Sequence, residues 1–157
     1  MKKAQAVLRV RYGETDKMGG VYYANYIAWF EIGRSTLLME AGYPYKALEE
    51  DGYILPVVET YCKYRSPAYY DDRLIIETWI TGLTKRDITF RYHIERDGKL
   101  IAEGFTRHMP INPEGKRIYL PSYLLSLLLP YIDNANMASP KIDQFMGSPK
   151  SHKLFGV

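Results

Sequence analysis

YYANYIAWFEIGRSTLLMEA, residues 22–41, decides the architecture. Tyr23, Tyr26, Ile27, Phe30, Gly33, Leu37, Leu38 and Ala41 recur at the three-and-four spacing that keeps side chains on one face of a helix. Ala28, Trp29, Ile32 and Met39 widen that stripe, leaving Glu31, Arg34, Ser35, Thr36 and Glu40 as a narrow polar side. The pattern predicts a long helix that is largely buried. Gly42 stands where a left-handed C-cap belongs, and Pro44 opens a short second helix through Glu50 that Gly52 stops.

Upstream of the helix, Ala4 to Tyr12 alternates apolar and polar residues with the period of a strand. Gly13, Gly19 and Gly20 then mark a loop leading into the helix. Downstream the period returns to two. Ile54 to Arg65, Leu74 to Leu83, Asp87 to Arg96 and Leu100 to Ile111 are rich in β-branched and aromatic residues, and Ile88, Phe90, Tyr92 and Ile94 alternate without a miss. Asp97-Gly98 predicts a two-residue hairpin, and Asn112-Pro113-Glu114-Gly115 the next turn. Pro121 starts a last helix, Ser122 to about Leu129. One buried helix beside five hairpin-linked strands implies an α+β domain, residues 1–132, whose antiparallel sheet curls around the helix. Residues 133–157 read as a mobile tail. Trp79, Tyr92 and Phe105 are candidates for an aromatic second face of the sheet that pairs with another subunit.

The chain has 157 residues, 46% hydrophobic, enough for one core that needs no disulfide or metal. Its one cysteine, Cys62, permits no intrachain disulfide, and His93, His108 and His152 lack zinc-site spacing. Arg9 and Arg11 interrupt any signal-peptide core, and the window Tyr123 to Ile132 is about half the ~20 residues of a membrane span. The expectation is a cytoplasmic protein with neither membrane nor cofactor. The formal charge of +3 is spread along the chain rather than gathered into a basic block, which argues against nucleic acid.

Chemistry concentrates in the loop before the long helix. Helix-start amides lack internal partners and carry partial positive charge, so they attract an oxygen gaining negative charge. Asp16, a carboxylate beside such amides, can attack a carbonyl or deprotonate water; equally, it can simply cap a turn. Cys62, His93 and His108 read as structural residues on strands, and Asp71 and Asp72 as turn and edge residues.

Asp16-Lys17-Met18-Gly19-Gly20-Val21-Tyr22-Tyr23-Ala24-Asn25-Tyr26, continuing to Trp29, Phe30 and Glu31, resembles the signature of hotdog-fold acyl-CoA thioesterases of the 4-hydroxybenzoyl-CoA thioesterase type. The resemblance covers about residues 5 to 130, including Pro56-Val57-Val58-Glu59 and the segment from Tyr64 to Asp72. It implies hydrolysis of an acyl-CoA thioester, with Asp16 as nucleophile or general base and the Tyr23 backbone amide as oxyanion donor. It also implies a homo-oligomer, dimer or tetramer, with Glu59 near a partner's site, where it orients water; on the residues themselves a salt bridge on the sheet is the equal reading of Glu59. Coenzyme A phosphates need cations, for which Arg65, Lys85 and Arg86 are the candidates. Where many relatives carry histidine, this chain has Tyr23, so no histidine assists Asp16 locally. The rival reading is a module that binds acyl thioesters or acyl carriers without hydrolysing them.

Overall fold

The structure, a computed structural model, describes residues 1–136; beyond Asn136 the expected tail lies outside the described residues. Five strands, β1 (Ala4–Arg9), β2 (Val57–Tyr64), β3 (Arg73–Leu83), β4 (Ile88–Arg96) and β5 (Lys99–His108), form one sheet in the order β1-β3-β4-β5-β2. Every pairing is antiparallel. The helices are α1 (Ala24–Glu40), α2 (Tyr45–Glu50) and α3 (Ser122–Leu128). This is the α+β hotdog arrangement: α1 packs against β1, β3, β4 and β5, and the strands enclose its apolar side. Asp97 and Gly98 both adopt positive φ, 50° and 74°, between the paired residues Arg96 and Lys99. That is the tight hairpin whose twist suits antiparallel strands.

The first strand ends earlier than its alternation suggests, at Arg9, because residues 12–14 wind into a single 3-10 turn. The second begins later, at Val57. After α3 the chain returns to the sheet. Ile132 bridges Ile80, and the Asp133 amide donates to the Ile80 carbonyl at 2.8 Å, so the segment after the last helix is pinned to β3.

The buried face of α1 consists of Tyr26, Trp29, Phe30, Gly33, Leu37 and Leu38. Phe30 is fully buried and stacks on Tyr92 of β4, centroids 4.3 Å apart, which by itself contributes roughly 1.5–3 kcal/mol of hydrophobic stabilisation. Two close approaches allow this. A side chain at Gly104 would collide with the Tyr61 carbonyl and the Phe30 ring, and one at Gly33 with Thr78 and Ile76. The helix therefore lies on β3, β4 and β5 at two points where no Cβ fits.

Two expectations need correction. The helix is apolar nearly all round but is not buried all round: Ala28, Ile32 and Met39, at helical spacing, form a second stripe that faces outward, Met39 being 67% exposed. One sheet can cover only one face. Tyr92 also does not belong to the outer face of the sheet; it shares the inner face with Ile88, Phe90 and Ile94, as its position in their alternation requires. Trp79 and Phe105 do lie outside, in a cross-strand row with Arg91 and Tyr61.

Candidate active site

Before α1 the chain makes a tight excursion. Thr15 bridges Val21, the Asp16 amide donates to the Gly20 carbonyl (2.9 Å), and the Tyr22 amide donates to the Glu14 carbonyl (2.8 Å). At its tip Gly19 takes φ 86°, a region that glycine enters without strain. The excursion is fastened to the segment after β2, because the Val21 amide donates to the Ala68 carbonyl (2.9 Å) and Gly20 bridges Tyr69. The Tyr26 hydroxyl accepts from the Ala68 amide at 3.0 Å, tying that segment to α1 as well.

Glu14 holds the loop against the helix. Its carboxylate accepts from the Trp29 indole (3.1 Å) and the Arg11 amide (2.8 Å), and its carbonyl accepts from the Asn25 side chain (2.8 Å). Sequence reasoning overlooked this residue. Fifteen positions separate Glu14 from Trp29, and only the folded loop makes them partners.

The Asp16 carboxylate is half fixed. One oxygen, Oδ1, accepts from the Met18 amide at 2.8 Å, while no hydrogen bond reaches Oδ2 among the described residues. The turn-capping role and an open carboxylate oxygen therefore coexist in one side chain. At the helix start the Asn25 and Tyr26 amides donate to the Tyr22 and Tyr23 carbonyls (3.0 and 3.3 Å). The Tyr23 amide has no hydrogen-bond acceptor among the described residues, which is what the first turn of a helix dictates. The Tyr64 hydroxyl, whose pKa burial raises, stays protonated and donates to the Tyr23 carbonyl at 3.0 Å.

A cleft of about 320 Å³ opens beside this helix start, lined by Val21, Tyr23, Tyr26, Tyr64, Arg65, Ser66 and Pro67. Arg65 thus meets Tyr23 at one site, although its guanidinium also donates to Glu103 at 2.8 Å. Tyr64 is the second residue that sequence reasoning passed over; its position as the last residue of a strand was the available signal.

Lys85 and Arg86 are elsewhere. They occupy the turn between β3 and β4, at the Leu83 end of β3, whereas the loop carrying Asp16 adjoins the Arg73 end through Asp72 and Val10. Eleven strand residues, roughly 3.3 Å each, put about 30 Å between those ends. Arg86 lies over the Tyr119 ring and donates to its hydroxyl. In one chain, then, the three candidate cations do not form one cluster.

Glu59 projects from the outer face of β2, 3.9 Å from Arg107, which in turn makes a two-bond clasp on Asp87. It lies five residues along β2 from Tyr64, about 16 Å. Asp72 accepts from Arg96 (2.7 Å) and the Tyr69 amide (2.8 Å), and Asp71 pairs with Arg9 at 3.2 Å, both holding the turn before β3. Burial pushes the Cys62 thiol up to about 11, so it stays protonated. His93 sits edge-on to Trp79 on the outer face. There Glu77, His93 and Glu95 place possible ligand atoms within 4.8 Å of one another, but Glu77 is already engaged by Lys3 (2.9 Å) and Gln5 (3.1 Å).

The model of the thioesterase-like superfamily matches residues 10–144. A Bacillus subtilis (strain 168) protein provisionally described as the acyl-CoA thioesterase YneP is 34% identical over 115 residues, 73% of this chain and 83% of that one. Among solved structures, hypothetical protein TT1821 from Thermus thermophilus is similar with TM-score 0.78 and 36% identity, over 82% of this chain and 98% of that one. DHNA-CoA thioesterase from Staphylococcus aureus is similar with TM-score 0.76 and 30% identity, over 80% of this chain and 86% of that one.

Proposed function

This chain belongs to the thioesterase-like superfamily, and from that premise we propose that it hydrolyses an acyl-CoA thioester to a free acid and coenzyme A at the amino end of α1. The observation that carries this reading is the pairing of a carboxylate with one free oxygen, Asp16, and an uncommitted amide, Tyr23, on the same fastened excursion. Names of relatives, acyl-CoA thioesterase in one case and DHNA-CoA thioesterase in another, support the thioester as substrate.

With Asp16 as general base, its free oxygen takes a proton from water and the hydroxide adds to the thioester carbonyl. The Tyr23 amide donates to the carbonyl oxygen as it becomes an alkoxide. Collapse breaks the carbon–sulfur bond, and the coenzyme A thiolate leaves and is protonated by solvent. With Asp16 as nucleophile, the same oxygen forms a mixed anhydride that water then opens. General-base action is worth about 10²–10⁴-fold, and one preorganised oxyanion donor about 3–4 kcal/mol. Arg65, in the cleft, serves coenzyme A phosphate in this chain's site. Lys85 and Arg86, at the far end of β3, serve only a site that another copy completes, as does Glu59.

That copy is part of the proposal. Among the described residues, β2 pairs only with β5, and its half-exposed Val57 and Val58 sit at the free edge. The outward stripe Ala28, Ile32 and Met39 adds apolar surface on α1. Both favour a dimer or tetramer, and light scattering on the eluting protein would give one protomer mass if they do not associate.

A thiol-release assay over a panel of acyl-CoAs, run beside Asp16→Asn, tests the activity. Parental turnover by the variant removes Asp16 from the chemistry, whereas tight binding without turnover across the panel replaces hydrolysis with acyl-thioester binding. Repeated turnover in ¹⁸O-water bears on the two roles, since only the nucleophile path, with water opening the anhydride at the Asp16 carbonyl, leaves label in the Asp16 carboxylate.

A further inference from the structure

A second cavity, about 210 Å³, lies between the middle of α1, the start of β4 and the end of β5. Arg34 reaches it eleven residues past Tyr23, about 16 Å along the helix axis, so it is separate from the cleft at the helix start. Leu38, Leu55 and Phe90 form its apolar wall, and Arg34, Ser35, Tyr45, His108 and the carboxylate of Glu31 supply its polar groups.

The protons of these groups can be assigned. His108 Nδ1 lies 2.9 Å from the Leu55 carbonyl, an obligate acceptor, so Nδ1 carries the hydrogen and Nε2 accepts. The Thr106 hydroxyl, 2.8 Å from Nε2, must then donate to it. Thr106 can consequently only accept from the Tyr92 hydroxyl, 2.6 Å away. Tyr92 in turn is left to accept, and Arg34 is the donor within its reach. His108 is held neutral by burial, its pKa pulled down to about 4, and adds no charge. Tyr45 is fixed likewise: its oxygen accepts from the Leu55 amide at 3.2 Å, which leaves its O–H to donate.

Apart from Glu31, each of these groups either is satisfied or has a hydrogen left to give. Arg34 has five N–H groups, more than one neighbouring hydroxyl such as that of Tyr92 can take up. No carboxylate pairs with it within 4.0 Å among the described residues, although Glu31 stands exposed at the cavity rim. A guanidinium held unpaired in a partly enclosed apolar pocket calls for an anion. The volume lies below the ~300–1,000 Å³ of sites for drug-sized ligands, so the ligand is small.

We propose that this cavity binds a small organic carboxylate, its anionic end taken by Arg34 and the Tyr45 hydroxyl and its body packed against Leu38, Leu55 and Phe90. The acid released by thioester hydrolysis and an unrelated small acid share that chemistry.

Calorimetric titration of the full chain with sodium benzoate and with sodium hexanoate tests it, with benzyl alcohol as the uncharged control. Saturable binding of at least one carboxylate is expected, at least tenfold tighter than benzyl alcohol. Arg34→Gln should weaken it at least tenfold and Tyr45→Phe a few-fold, while Asp16→Asn should leave it unchanged. Should Arg34→Gln fail to fold, Arg34→Lys, which keeps charge but loses the planar fork, should bind several-fold more weakly than the parent. Absence of saturable binding, equal binding of the alcohol, or parental affinity in folded Arg34→Gln overturns the site. Loss of binding in Asp16→Asn also overturns it, because the acid would then sit at the helix start, and that result leaves the proposed hydrolysis standing. If the tighter acid is the one whose coenzyme A ester turns over fastest, the ligand is product; if it is the other, the ligand has a different source.

Discussion

The amino end of α1 and its middle, about 15 Å apart along one helix, treat hydrogen-bonding groups in opposite ways. At the amino end the backbone is heavily fastened, yet an amide and a carboxylate oxygen have no partners among the described residues. At the middle, Tyr92, Thr106 and His108 form a buried chain in which each hydroxyl and ring nitrogen has its partner. Unspent hydrogen-bonding capacity at a solvent-accessible cleft costs little, because water supplies it between encounters. The same capacity left open inside a core costs about 1–3 kcal/mol per group. The contrast suits the amino end to the chemistry proposed above, and gives the chain of Tyr92, Thr106 and His108 beside the middle a part in setting geometry.

The sharpest break of this contrast is a pair of substitutions with opposite readouts. Asp16→Asn should lower thioester turnover by about 10²–10⁴-fold with an unchanged melting temperature, measured by thiol release and calorimetry. Gly104→Val should do the reverse in kind, losing about 3 kcal/mol or more of stability in urea titration because the new side chain meets the Phe30 ring and Tyr61 backbone.

His108 sharpens the comparison through pH. Its pKa is lowered to about 4 in the folded chain, mainly by burial, against about 6.5 when unfolded. The unfolded chain therefore binds more protons between those values, and stability contributed by neutral His108 is full above pH 6.5 and falls as pH drops towards 4. The loss should be about 3 kcal/mol, and His108→Gln should flatten that part of a stability-against-pH curve. The smallest effect is expected at Tyr64→Phe, which removes one hydrogen bond to the Tyr23 carbonyl. A loss of about 1 kcal/mol, seen as a several-fold drop in kcat with little change in KM, would mark it as a positioning residue for the helix start.

The architecture was legible because the long helix and the strand around Phe90 and Tyr92 carry a clear period, the other strands are rich in β-branched and aromatic residues, and the Asp97-Gly98 turn has one favoured geometry. The outward stripe on α1 was not, since Ile32 and Met39 are as apolar as the core and a sequence does not say how many faces a single sheet will cover. The loop was readable as to place, through Asp16 and the glycines. Its fastening was not, because Glu14 with Trp29 and Val21 with Ala68 meet only across the fold. Lys85 and Arg86 join Arg65 as candidates on charge and on their places at a turn and a strand end, neither of which says which end of the folded sheet they occupy.

Gly33 sets a further condition on the helix start. Because its bare backbone touches Thr78 and Ile76 of β3, the rod cannot slide lengthwise without driving a neighbouring turn, which does carry side chains, into the sheet. Ten residues upstream, the Tyr23 amide inherits that longitudinal stop. A reacting carbonyl tolerates only about 0.5 Å of misplacement from its donor, so under the proposed mechanism the missing methyl at one position acts as the gauge block for the chemistry at another.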